Sequence, residues 1–145
     1  MLSIGVDIGG TKVAAGVVDE DGEILRHLVR PTPSRSPEAV ENAIVEVVDS
    51  LSDGLPVKSA GIGAAGWVDT EQALVRFSPH LAWRNEPLRD RLSERIDLPV
   101  IVDNDANAAA WAEYEFGAGR DSRVMTCITL GTGIGGGPGL KWRAV

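Results

Sequence analysis

Cysteine is almost missing from this 145-residue chain. Cys127 is the single one, so no internal disulfide can form and no multi-cysteine metal site exists. It sits in the apolar stretch Val124-Met125-Thr126-Cys127-Ile128, where a buried, inert thiol is expected rather than a nucleophile. Long apolar runs are missing as well. The N-terminus lacks a basic start followed by an extended apolar segment, and no stretch reaches transmembrane length. A cytoplasmic protein without a membrane partner is the expectation. Basic residues are in the minority, 14 against 21 acidic, for a formal charge of −7. Nucleic-acid affinity draws on clustered Lys and Arg, so no nucleic-acid partner is expected, while a local cationic pocket for one nucleotide stays open. Internal repeats and low-complexity linkers are also lacking. What remains, 43% hydrophobic and 24% charged, is the composition of a folded domain able to bury a core.

Leu2 to Ile8 is a short apolar run ending at a glycine pair, which suits a buried strand. Val13 to Val18 and Glu23 to Val29 read as two more strands joined by the acidic turn Asp19-Glu20-Asp21-Gly22. His27, within the third, reads as structural. Ser36 is placed as a helix N-cap with Pro37 at the first helical position. Val40, Ile44, Val47, Val48 and Leu51 then recur at spacings of three and four, giving an amphipathic helix over Glu38 to Leu51. Val57 to Gly63 returns to a strand, Pro87 to Ile96 to a helix, and Pro99 to Val102 to a strand. Ala106 to Phe116 is an alanine-rich helix and Val124 to Leu130 a last strand. Three meandering strands followed by alternating helices and strands imply an α/β fold, a mixed sheet flanked by helices. Ligands of such sheets bind at the carboxyl ends of strands.

Three loops fall there. In Asp7-Ile8-Gly9-Gly10-Thr11-Lys12 the adjacent glycines let backbone N–H groups approach an anion. Thr11 adds a hydroxyl donor, Lys12 a charge, and Asp7 a carboxylate able to hold Mg²⁺ directly or through water. An ordinary glycine hairpin is the bland alternative. Leu130-Gly131-Thr132-Gly133-Ile134-Gly135-Gly136-Gly137 also follows an apolar strand and is expected as a glycine loop through Gly137. Two Gly-Thr loops, each after a strand, favour two clamps on one polyphosphate over a flexible linker. Asp103-Asn104-Asp105-Ala106-Asn107 lies between a strand and a helix. Helix capping accounts for one acidic residue there but not for the cluster. Phosphoryl transfer to an alcohol needs a carboxylate to take its proton, and an asparagine can both donate to and accept from sugar hydroxyls.

Together these loops resemble the ROK family of bacterial sugar kinases and repressors, and its actinobacterial glucokinases in particular. The resemblance is carried by D-I-G-G-T-K at Asp7 to Lys12, G-I-G-A-A-G-W-V-D at Gly61 to Asp69 and S-P-H-L-A-W-R at Ser78 to Arg84. D-N-D-A-N-A-A-A at Asp103 to Ala110 and L-G-T-G-I-G-G-G at Leu130 to Gly137 complete it, in family order. It implies the actin-like ATPase, ribonuclease-H-like fold, with this chain as the N-terminal lobe of a two-lobed kinase. Residues 1–120 would form that lobe, 121–137 the first strand and phosphate loop of the other lobe, and 138–145 a divergent tail. Pro138 would remove a backbone donor where a strand should begin.

By position, the resemblance makes Asp105 the base for a sugar 6-hydroxyl, Asn104 a ligand of ring hydroxyls and Gly66 part of the sugar pocket. Gly9, Gly10, Thr11 and Lys12 would meet the ATP phosphates from one side, Gly131, Thr132 and Gly133 from the other, with Asp7 assisting Mg²⁺. His80 stands where many relatives place a sugar-binding asparagine, and imidazole can still hydrogen-bond a hydroxyl. The implied partners are a hexose, glucose first, and ATP, in a family whose members are usually homo-oligomers. N-acetylmannosamine, fructose or allose as the sugar and polyphosphate as the donor stay open. The family's cysteine-rich zinc segment has no counterpart in this chain. A non-catalytic fragment is the second reading, and a sugar-responsive repressor a distant third.

Overall fold

A computed structural model describes residues 1–33, 36–131 and 133–140. It forms two compact units, Met1–Asp105 and Ala106–Val145.

The first unit is organised by a five-stranded sheet. β1 (Leu2–Ile8), β2 (Lys12–Val18) and β3 (Ile24–Pro31) form the expected antiparallel meander, and β4 (Val57–Ala64) and β8 (Val100–Asn104) join parallel to β1. The order is β3-β2-β1-β4-β8, a mixed sheet of the kind expected. Alternation along β1 explains its facing: Ile4, Val6 and Ile8 are buried, while Gly5 and Asp7 point to the opposite, open side.

The helix that covers the buried face is α1 (Pro37–Ser52). The Ser36 Oγ accepts the Ala39 N–H at 3.4 Å and Pro37 opens the first turn, as the capping signals predicted. Its Val40, Ile44, Val47, Val48 and Leu51 enter one core with Ile4, Ile8, Val13, Val17, Ile62 and Val102. Each such side chain contributes on the order of 1.5–3 kcal/mol by leaving water.

A buried carboxylate interrupts that apolar stripe. Glu41 is only 3% exposed and lies 3.9 Å from both Arg91 and Arg95; Glu86 lies 2.8 Å from Arg91. Burial raises the Glu41 carboxyl above its ordinary range; Arg91 and Arg95 oppose this, and Glu86 adds to it. The folded state therefore holds this proton more tightly than the unfolded chain does. The associated stability is present at acid pH and is lost as pH rises through the folded-state value. Glu41→Gln removes that loss. In urea titrations, its stability relative to the parent is expected to be greater near pH 7 than below about pH 4.

Between β4 and β8 the chain inserts a small antiparallel sheet that has no counterpart among the predicted elements. It consists of β5 (Trp67–Val68), β6 (Val75–Phe77) and β7 (Arg84–Glu86), in that order. α2 (Leu88–Ser93) follows and is shorter than predicted.

The second unit holds most of α3 (Asp105–Glu115) and a hairpin of β9 (Val124–Leu130) with β10 (Ile134–Leu140). The glycine loop expected to run through Gly137 therefore ends at Gly133. From Ile134 onward the chain is a strand, and Pro138 sits inside it opposite Thr126. The glycines serve packing here. A Cβ on Gly135 would come within 2.7 Å of the Ala106 Cβ, and one on Gly137 within 3.1 Å of the Ala110 Cβ. Cys127, expected to be buried, is half-buried. Residues 141–145 of the expected tail lie outside the described residues.

Candidate active site

Parallel pairing places the carboxyl ends of β1, β4 and β8 side by side. Ile8, Ala64 and Asn104 are register partners, and behind them so are Asp7, Gly63 and Asp103. Three chain segments thus leave one edge of one sheet: the turn at Gly9, the loop at Ala65 and the start of α3 at Asp105.

The Gly9–Lys12 turn is held from several directions. The Gly9 N–H donates to the Lys12 carbonyl at 3.0 Å, the Thr32 N–H to the Thr11 carbonyl at 3.0 Å, and the Thr32 Oγ1 to the Gly9 carbonyl at 2.8 Å. The Ala65 N–H donates to the Ile8 carbonyl at 3.1 Å, tying this turn to the second loop. Positive φ is confined, among the described glycines, to Gly22 and Gly54. Gly10 is therefore required for space: a Cβ there would lie 2.7 Å from the Cβ of His80. The structure accordingly brings His80 onto the Gly9–Lys12 turn. Both Thr11 and Lys12 are exposed beside it.

On the second loop, the Asn104 Nδ2 donates to the Gly66 carbonyl at 2.8 Å. The Ser78 Oγ donates to the Ala65 carbonyl at 2.6 Å and accepts the Leu81 N–H at 3.2 Å, fixing the bend that carries His80. Two of these supports were not visible in the sequence as supports. Ser78 stood in a quoted motif without a role. Gln72 carried no signal at all: its backbone is left-handed, with φ 54°, and its Nε2 donates to the Asp103 Oδ2 at 2.9 Å. Asp103 in turn accepts the Asn104 N–H at 2.7 Å. Asp103 is thus engaged in holding the segment, while Asp105 opens α3, where a carboxylate suits the positive end of the helix.

Asp7 and Asp105 form the electrostatic centre of this edge. Partial enclosure raises the Asp7 carboxyl above its usual range, the Asp105 charge raises it further, and Lys12 pulls it back. The like charge of Asp105 and the partial enclosure of Asp7 both favour a cation beside Asp7. A magnesium ion takes one or two carboxylates together with water and phosphate oxygens, and Asp7 beside this turn fits that habit. Among the described residues no cluster of three or more metal-binding side chains occurs. Asp105→Asn removes the like charge, so the Asp7 pKa is expected to fall toward the ordinary aspartate value. Carboxyl-carbon NMR titration of the parent and the variant reads this directly.

The second glycine loop belongs to the other unit. There the Gly131 N–H donates to the Gly133 carbonyl at 2.9 Å, and nothing lies within 4 Å of a Cβ built on either glycine. Thr132 lies outside the described residues.

The sequence profile of the ROK family matches residues 3–140. The chain belongs to the ROK family. It is 54% identical over 136 residues to a glucokinase of Streptomyces coelicolor, covering 94% of this chain and 43% of that protein. A crystal structure of a ROK family glucokinase from Streptomyces griseus in complex with glucose and AMPPNP superposes with a TM-score of 0.93. Its identity is 54%, and the match covers 97% of this chain and 45% of that one. An N-acetylmannosamine kinase of Escherichia fergusonii is 39% identical, over 94% of this chain and 47% of its own length. The chain thus spans under half the length of these ROK relatives. The profile match runs to residue 140, as β10 does, and so extends into the segment read as a tail from Pro138. The longest helix among the described residues, α1, has 16 residues, and no described helix is long and apolar enough to cross a membrane.

Proposed function

We propose that this chain supplies the sugar-side half and one phosphate turn of an ATP-dependent hexose 6-phosphotransferase, with glucose as the favoured sugar. One observation carries the reading. A carboxylate (Asp105), a hydroxyl-binding amide anchored to a loop carbonyl (Asn104 on Gly66) and an anion-type turn capped by His80 converge on one sheet edge. In this reading the 6-hydroxyl gives its proton to Asp105 as its oxygen forms a bond to the γ-phosphorus. The bond from that phosphorus to the bridging oxygen breaks, and ADP leaves. Asn104, Gly66 and His80 fix the ring, so the gain comes from positioning. The N–H groups of Gly10 and Thr11, with Lys12, receive phosphate oxygens, while Gly9, whose N–H closes the turn on the Lys12 carbonyl, lets the chain approach them. Mg²⁺, held by Asp7 directly or through water, supplies neutralisation of phosphate charge when bound. Gly131, Thr132 and Gly133 are proposed as phosphate contacts on the same motif grounds. Glucose and ATP are the proposed partners, and the cytoplasm the proposed location.

The short span relative to the relatives favours a second reading, in which these residues bind sugar but do not catalyse alone. A coupled ATP-and-glucose assay on the purified chain, with Asp105→Ala as control, separates the two. Turnover abolished by the substitution establishes catalysis by this chain. Glucose binding without turnover establishes half a site. Neither binding nor turnover overturns the hexose reading.

A further inference from the structure

The small β5–β6–β7 sheet carries a row that the phosphotransfer reading does not use. Trp67 and Phe77 are register partners, and so are Phe77 and Arg84. Register partners on antiparallel strands present their side chains to the same face. The Arg84 guanidinium indeed lies 4.0 Å from the Phe77 ring centroid. It is fixed there by hydrogen bonds from its Nη1 to the carbonyls of Ser78, at 3.1 Å, and Trp83, at 3.0 Å. At the other end of the row the Trp67 indole is 76% exposed, the Phe77 ring between them 37%. Val75 and Glu86, two residues along their strands from Phe77 and Arg84, are buried, so exposure rises from Val75 through Phe77 to Trp67. Single exposed apolar residues are ordinary on protein surfaces; an ordered aromatic row braced by a stacked guanidinium is an organised surface.

We infer that the Trp67–Phe77–Arg84 row is an aromatic platform for the pyranose ring of the substrate, with Trp67 a specificity-determining residue. The inference rests on the hexose reading above and names a further part of that site. Continuity with the site supports it at two points. Trp67 directly follows Gly66, whose carbonyl accepts from the Asn104 Nδ2. Phe77 directly precedes Ser78, whose hydroxyl holds the Ala65 carbonyl. The chemistry matches: a pyranose presents a face of C–H bonds that packs against the π-face of an aromatic ring, while its hydroxyl edges remain for hydrogen bonds. Indole offers the largest such face. A nucleotide base also stacks on aromatic rings; the row begins at the Gly66 loop that Asn104 holds, and that attachment favours the sugar.

The test is a glucose titration of the 145-residue chain, followed by the indole Nε1–H and backbone amide resonances. The Trp67 indole signal is assigned by its loss in Trp67→Phe. It is expected to shift along with the Gly66 and Asn104 amides. Trp67→Ala should weaken glucose binding about three- to tenfold, and Trp67→Phe should restore most of it. Folding is not at risk, because the side chain is exposed. Shifts at Gly66 and Asn104 with a silent Trp67 indole and unchanged affinity in Trp67→Ala overturn the platform and leave the hexose reading standing. No shift anywhere with glucose overturns both. A Trp67 response to AMP and none to glucose overturns the sugar assignment of the platform.

Discussion

Asp105→Asn is expected to lower kcat for glucose phosphorylation by about 10²–10⁴-fold while leaving glucose affinity nearly unchanged. The asparagine keeps the size and one hydrogen-bonding oxygen, so the sugar still finds its place. It cannot take the 6-hydroxyl proton, so attack must proceed from a neutral hydroxyl. The split between kcat and affinity separates loss of the base from a general collapse of the site. A suitable protein is a hybrid in which residues 1–137 of this chain are followed by the remainder of the Streptomyces coelicolor glucokinase, which is 54% identical over the shared segment. Equal losses in binding and rate would show that Asp105 holds the sugar or the fold, and is not the base.

The second large effect concerns shape. A Cβ on Gly66 would collide with the backbone oxygen of Phe77 and crowd the Phe77 carbonyl carbon and the Ser78 Cα, each at 3.2 Å. These are main-chain atoms of a paired strand, so no side-chain rotation relieves the contact. Gly66→Ala must push β5 and β6 apart or displace the loop. Overpacking of this kind costs about 1–3 kcal/mol, lowering the melting temperature by roughly 3–10 °C in a chain of this size. Because Asn104 donates to the Gly66 carbonyl, the same shift should weaken glucose binding in whatever fraction still folds. Calorimetry and a glucose titration of the same sample measure the two effects separately.

Much of this edge was legible in the amino-acid order, for physical reasons that can be named. Period-two alternation in Ile4, Val6 and Ile8, and the three- and four-residue spacing in α1, report burial directly, and both elements lie where those patterns placed them. Asp105, Asn104 and the Gly9–Gly10 turn declared themselves because each closes an apolar strand. The small sheet was not legible: its strands have two or three residues, too short for any periodicity to register. The glycines of β10 misled because glycine marks both a loop and a place where a helix approaches a strand closely, and here the second applies. Gln72 was invisible, since a left-handed glutamine bracing an aspartate leaves no pattern in sequence. Glu41 fell inside an apolar stripe, and the arginines that neutralise it are about fifty residues further along the chain.

Asp105, Asn104 and Gly66 are proposed as the hexose side of a phosphotransfer site. A crystal structure of the same hybrid with glucose bound tests this assignment most directly. The hexose ring is expected at the carboxyl edge of β1, β4 and β8, its 6-hydroxyl about 2.6–3.2 Å from an Asp105 carboxylate oxygen. Glucose bound elsewhere, or bound there with its 6-hydroxyl turned away from Asp105, would contradict it.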